Sequence, residues 1–281
     1  MRKFARPVTI ALLGAAVACN ILIGLRDDYG LVTDAASDGG IDAAIDAAID
    51  AESKDGPGDA PFMFTNPCKS GASHTLCCDF DGDGAVVVGC WFPVTKVGNV
   101  SISGAQYVSA SKSMYATTKV VDGGDWAYGK ATLDGGKSKA TCTLDAYLDV
   151  IVSSGTSFMG IHQSNDDKIG VQIVLGPVPD GGPAVEARYY GSFGDGSVNG
   201  IGVMILPIHT WFRLQLELDL PGNQAGTATL RALSYDAGPP LQFTTNIFSV
   251  LPAFGFRAGV LYVPPDAAAG VFVDNVVCDT Q

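Results

Sequence analysis

From residue 62 onward, apolar and polar positions alternate with a period of two. Phe212, Leu214, Leu216, Leu218 and Leu220 alternate with Arg213, Gln215, Glu217 and Asp219, the pattern of a strand with one wet face. Ala228, Leu230 and Ala232 alternate against Thr227, Thr229 and Arg231, and Pro221-Gly222-Asn223 between the two runs predicts a hairpin. Further β-rich runs cover residues 85–88, 97–103, 114–121, 140–152, 157–163, 168–175, 185–190, 200–206, 255–263 and 271–278. Turn clusters separate them, among them Asp122-Gly123-Gly124, Asp134-Gly135-Gly136 and Pro179-Asp180-Gly181-Gly182-Pro183. A dozen or more short strands in residues 62–281 predict an all-β fold, a two-sheet antiparallel jelly-roll sandwich, rather than a seven-stranded immunoglobulin module.

The N-terminus follows a different pattern. Arg2, Lys3 and Arg6 precede an apolar run from Val8 to Val17, then Ala18 and Cys19. A charged segment, an apolar segment and a small-residue cleavage site describe an export signal over residues 1–18. Ala16-Val17-Ala18-Cys19 resembles the lipobox of bacterial lipoproteins. The resemblance implies that Cys19 is acylated, with palmitate among its chains, and becomes the mature N-terminus. Several acyl chains hold a protein on a membrane where one does not, since each buried CH2 contributes ~0.8 kcal/mol. Asn20 in place of an aspartate implies, by the same resemblance, a cell-envelope protein of the outer membrane. Read without cleavage, Val8 to Leu25 is an apolar anchor of about the minimum spanning length.

Residues 19–61 read as a tether. Residues 27–60 hold ten acids and one base, and Ile-Asp-Ala-Ala repeats from Ile41 to Ala51. Aspartates spaced by four repel one another on a helix, so a solvated, disordered spacer is expected. Short Asp/Ala-rich tethers of this kind resemble those of myxobacterial surface lipoproteins, as does Leu25-Arg26-Asp27-Asp28-Tyr29. The whole chain has a net charge of −12, which argues against a nucleic-acid partner. Its apolar content of 47% excludes a wholly disordered chain.

Three elements of the sandwich resemble, in order, the concanavalin A-like lectin/glucanase (laminin-G-like) jelly rolls. They are a first strand with Cys78-Asp79-Phe80-Asp81-Gly82, a late strand Trp211 to Leu218, and a last strand Val271-Phe272-Val273-Asp274-Asn275-Val276. In that family one structural Ca2+ is often held between the first strand and an aspartate of the last, which implies Asp274. Asp79-Phe80-Asp81-Gly82-Asp83-Gly84 also matches the opening of a calcium loop, with Asp79, Asp81 and Asp83 as ligands. Position twelve of that loop is Cys90 and no helix flanks it, which excludes an EF-hand.

Beside Cys19 there are six cysteines, Cys68, Cys77, Cys78, Cys90, Cys142 and Cys278. Their spacing does not suit zinc, and an exported chain favours disulfides. Fifteen pairings of six cysteines are possible. Adjacent Cys77 and Cys78 point to opposite faces of a strand and should take different partners.

No catalytic constellation is recognised. The E-x-D-x-x-E strand of glycosidases on this fold is absent, Glu186 and Glu217 stand alone, and His74, His162 and His209 are scattered. Trp126 and Tyr128 alternate on one face beside Gly123-Gly124 and suit stacking on a sugar; Tyr189-Tyr190 flank another turn. Trp211 heads an alternating strand and is expected to be buried. The expectation is a lipid-anchored, non-catalytic envelope protein that binds a polysaccharide or glycoconjugate. A structural or protein-docking role, or glycan hydrolysis by an unrecognised carboxylate pair, are the readings left beside it.

Overall fold

The structure is a computed structural model. It describes residues 66–281 except 82–89, 110, 152–154, 165, 178–183, 193–202, 236–237, 246 and 248–251; the side chains of residues 151, 166–168, 177 and 184–192 are likewise not described. The described residues belong to one unit, Asp59–Gln281. The export signal, Cys19, the tether, Asp83 and the run at 85–88 lie outside the described residues.

A short 3-10 turn, Pro67–Lys69, precedes the strands: β1 (Leu76–Cys78), β2 (Phe92–Thr95), β3 (Asn99–Ser103), β4 (Ser113–Thr117), β5 (Asp125–Thr132), β6 (Lys139–Ile151), β7 (Thr156–Gln163), β8 (Asp166–Pro177), β9 (Ala184–Ser192), β10 (Met204–Pro207), β11 (Trp211–Asp219), β12 (Thr227–Ala232), β13 (Leu241–Thr244), β14 (Phe254–Val263) and β15 (Ala269–Thr280). They form two sheets of antiparallel pairs. One runs β13-β12-β11-β6-β15-β4-β3 with β1 added against β15; the other runs β10-β9-β8-β7-β14-β5-β2. The chain is therefore the all-β sandwich that the alternation predicts, and β11 and β12 form the expected hairpin.

Period two decides which side chains meet between the sheets. Phe212, Leu214, Leu216 and Leu218 of β11 face Phe254, Phe256, Met159 and Ile161 of the other sheet, all completely buried. Each such side chain contributes ~1.5–3 kcal/mol. The tryptophan of this core is Trp91, not Trp211. Trp91 is 1% exposed and packs against Phe80 and Phe256. Trp211 begins β11 one residue before the inward Phe212, so it falls on the outer face, half-buried against Tyr147.

Trp91 also explains why β5 carries small inward residues, Ala127, Gly129 and Ala131. A Cβ on Gly129 would stand 2.9 Å from the indole and 3.0 Å from the Met114 sulfur. The sandwich is close-packed there, and only hydrogen fits.

Three disulfides join Cys68 to Cys77, Cys78 to Cys90 and Cys142 to Cys278. Cys77 and Cys78 take different partners, as their opposite faces require. Cys142 and Cys278 lie directly opposite in β6 and β15 and close the longest loop. β1 ends at Cys78, short of the strand expected through Gly82: Phe80 takes a φ of 55°, which leaves the extended region.

Candidate functional site

The outer face of the seven-stranded sheet carries one continuous row of registered residues. Phe92 of β2 lies opposite Lys130 of β5, and Lys130 lies opposite Arg257 of β14. Arg257 lies opposite Gly160 of β7, Gly160 opposite Gln172 of β8, and Gln172 opposite Tyr190 of β9. Residues directly opposite share a face. Their neighbours Ala131, Phe256, Ile161 and Val171 fill the core, so Lys130, Arg257, Gly160 and Gln172 lie outside. At ~4.8 Å per strand it runs about 24 Å across the sheet.

Cations collect at its centre. The Arg257 guanidinium lies 5.0 Å from the Tyr128 ring, a cation–π contact. Lys130 donates from Nζ to the Ser164 carbonyl at 2.8 Å, and Thr132 Oγ1 lies 3.1 Å from Ser164 Oγ. His162 sits beside them, opposite Gly255 of β14 and Gly170 of β8. Both neighbours must be glycine: a Cβ at Gly170 would stand 2.3 Å from His162 Cβ, and one at Gly255 2.9 Å from Nε2.

Desolvation sets the charge states. His162 is 2% exposed, and its Nε2 has no hydrogen-bond partner among the described residues. Burial, then the charges of Arg257 and Lys130, push its pKa down to about 2, so the ring is neutral. Burial and the Arg257 charge also lower Lys130. Burial lowers Arg257, with Tyr128 pulling the other way. Burial raises the Tyr128 hydroxyl against the Arg257 charge. The cluster thus brings Lys130 and Arg257 together with a neutral imidazole and the Tyr128 phenol.

Trp126 and Tyr128 share this outer face on β5. Trp126 is half-buried, with Lys96 Nζ 5.2 Å above its ring; that ammonium donates to the Gly124 carbonyl at 2.6 Å. Tyr128 is 6% exposed. At the far end of the row, Phe92 is 68% exposed.

The residues expected around calcium lie against the other sheet. A β-bulge interrupts β15 between Asp274 and Val277, and Asn275 takes a φ of 47°. Asp274 Oδ2 accepts the backbone N–H groups of Val108 and Ser109, each at 3.0 Å, while Oδ1 accepts that of Asn275 at 2.8 Å. Burial still raises its pKa to about 6, against those three N–H bonds. Lys69 places its ammonium 2.9 Å from Asp81 and 3.9 Å from Asp79. Three backbone N–H donors therefore face the Asp274 oxygens. Among the described residues no three His, Cys, Asp or Glu side chains gather into a metal site. No function is drawn through calcium at Asp274.

Two carboxylates do meet here. Asp145 lies opposite Asp274, and both are completely buried. Arg213 grips Asp145 from Nε at 2.6 Å and from a terminal nitrogen at 2.7 Å, and Asn275 donates to it at 2.8 Å. Glu217 bonds Lys139 at 3.0 Å. His74 pairs with Asp279, and His209 reaches the Asp149 carbonyl at 2.8 Å. The side chains of Glu186, Tyr189 and Tyr190 lie outside the described residues.

Sequence reasoning missed Lys130, His162 and Arg257 as a group. Lys130 and Arg257 each stand as a lone polar residue among small or apolar ones, in Gly129-Lys130-Ala131 and Phe256-Arg257-Ala258, and His162 follows the apolar Ile161. A polar residue at the outward phase of an otherwise buried strand was the available signal.

No protein family and no curated protein matches the sequence. Solved structures do match the fold. A cellulose-induced protein, Cip1, aligns with a TM-score of 0.50 at 11% identity, covering 73% of this chain and 97% of that one. A GH43 glycoside hydrolase engineered for endo-xylanase and exo-arabinofuranosidase activity aligns with a TM-score of 0.50 at 12% identity, covering 76% of this chain and 42% of that one. The carbohydrate recognition domain of Emp47p aligns with a TM-score of 0.45 at 13% identity, covering 74% of this chain and 96% of that one. The chain shares with the first two a two-sheet antiparallel β-sandwich. At such identities the likeness is one of fold.

Proposed function

We propose that this is a lipid-anchored envelope protein whose sandwich binds a polysaccharide or glycoconjugate without cleaving it. The observation that carries the reading is the row from Phe92 to Gln172, flanked by Trp126. An exposed ring at one edge, polar groups along the middle and a span of several sugar units suit an extended glycan chain. Sugar rings stack on aromatic faces while their hydroxyls take hydrogen bonds from Lys130 and Gln172. The neutral His162 supports binding over proton transfer. The fold adds only a prior, since one sandwich serves many functions.

Binding of the full-length protein to a broad glycan array tests this reading. Saturable binding that falls several-fold in Phe92→Ala and Trp126→Ala, with unchanged thermal stability, supports it. A blank array from folded protein overturns it. The anchor has its own test: Cys19→Ser should release the protein from membranes and abolish acyl labelling.

A docking role has one observation in its favour. Tyr115, Phe272, Tyr147 and Trp211 form a second row, in register across β4, β15, β6 and β11 on the outer face of the other sheet.

A further inference from the structure

We infer that Lys96 is the positioning residue of the Trp126 sugar platform: its ammonium, anchored on the Gly123-Gly124 turn, holds the indole in the pose that stacks on a sugar ring. This rests on the glycan reading above and names the group that orders its aromatic contact.

The backbone of Trp126 is fixed from both sides. Its N–H donates to Asp125 Oδ1 at 2.8 Å, and its carbonyl accepts the N–H of Lys96 at 3.1 Å. Asp125 is completely buried, where a carboxylate needs compensating donors. It finds two more in the N–H groups of Val97 and Lys119, both at 2.9 Å. Val97 precedes β3 and Lys119 follows β4, so these bonds tie three segments of the sandwich together. Asp125 therefore serves the fold.

The Lys96 side chain is in a different position. Lys96 is exposed, and water alone satisfies an ammonium at the surface. Here the ammonium lies over the half-buried Trp126 ring, 5.2 Å from its centroid, in a cation–π contact. It also donates to the Gly124 carbonyl at 2.6 Å and to the Gly123 carbonyl at 3.3 Å. Backbone bonds set where the indole starts from the strand, and the ammonium is the charged group that bears on the ring itself.

The turn is built to receive that ammonium. Gly123 and Gly124 take φ of 82° and 74°, a region that residues with a Cβ rarely adopt. Two successive carbonyls reach one ammonium through that backbone. A Cβ at Gly124 would also stand 3.0 Å from the ring of Tyr262, which is 40% exposed. The aromatic surface thus continues past the turn that anchors Lys96. A ring already held in its bound pose loses little freedom when a ligand arrives, which is how preorganisation raises affinity.

The test uses the full-length protein with xylan, barley β-glucan, galactomannan and polygalacturonate. For any polymer bound, Lys96→Met should weaken binding by about fivefold or more at an unchanged thermal midpoint. Lys96→Arg, which keeps a cation over the ring, should restore most of it. Acrylamide quenching gives a reading that needs no glycan. The Trp126 share, taken as the difference between each protein and its Trp126→Phe counterpart, should be quenched more strongly in Lys96→Met than in the unaltered protein. Equal quenching overturns the inference. Binding lost in Trp126→Ala but kept in Lys96→Met overturns it while leaving the glycan reading intact; no binding by the folded, unaltered protein removes both. If Lys96→Met does not fold, Lys96→Gln takes its place with the same expectations.

Discussion

Arg213 holds Asp145 in a two-pronged grip at 2.6 and 2.7 Å, with both residues buried on the outer face of the eight-stranded sheet. β11 and β6 place them directly opposite, and Asn275 donates to the same carboxylate at 2.8 Å. Ser109 links this group onward, donating to the Asn275 side-chain oxygen at 2.9 Å. The loop carrying Val108 and Ser109 is thereby tied to the last strand through charges that water does not reach.

Removing the guanidinium should leave a buried, uncompensated carboxylate. Arg213→Met is expected to cost about 3–5 kcal/mol in urea denaturation. Arg213→Lys should recover only part of this, because an ammonium cannot match the planar fork. Full recovery by lysine would show that charge alone, without geometry, holds the network.

Asp274 and His162 push the pH dependence of stability in opposite directions. Asp274 is raised from 3.8 to about 6, so the folded state holds an extra proton between about pH 4 and 6, and folding gains as pH falls through that window. His162 is lowered from 6.5 to about 2, so the unfolded chain holds the extra proton below 6.5, and folding loses about 1.4 kcal/mol per pH unit. From about pH 4 to 6 these two effects oppose each other; below that range the Asp274 gain is complete while His162 continues to lower stability. Denaturation of His162→Gln should reveal the Asp274 contribution, with stability rising from about pH 6 to 4 where the unaltered protein stays level. A level variant would refute the opposition.

Gly129 has no room for a methyl group beneath Trp91 and Met114. Gly129→Ala is expected to cost about 1–3 kcal/mol by overpacking, read as a lowered thermal midpoint. In a Met114→Ala background the added cost of Gly129→Ala should be smaller, since the sulfur is one of the atoms in the way.

Disulfide removal should scale with loop length. Cys142 and Cys278 are 136 residues apart, whereas Cys68 and Cys77 are separated by 9. Chain-entropy arguments give about 5 kcal/mol for the long loop and about 3 kcal/mol for the short one. Replacing each pair by alanine and comparing urea midpoints checks the order. Equal losses would place the stabilisation in native packing around the sulfurs instead.

What was legible in the sequence follows from local periodicity. The alternation of Phe212 to Asp219 named its inward and outward residues before any partner strand was known, because a strand's own pleat fixes them. β5 was not legible as a strand: Asp125-Trp126-Ala127-Tyr128-Gly129-Lys130-Ala131-Thr132 reads as weakly apolar. Its inward positions are small because the bulk that covers them belongs to Trp91, from another part of the chain. Trp211 misled for the complementary reason, since a large aromatic residue reads as core until the phase of its strand is fixed by Phe212.

The adjacency of Cys77 and Cys78 determined that they part company, and the chain's alternation determined an all-β sandwich. Which cysteines join, and which lone polar residues gather, were decided only by tertiary structure. Lys130, His162 and Arg257 are far apart in sequence and become neighbours through the registers of β5, β14 and β7. Register depends on how whole strands bury their inward faces together, and no segment carries that information alone.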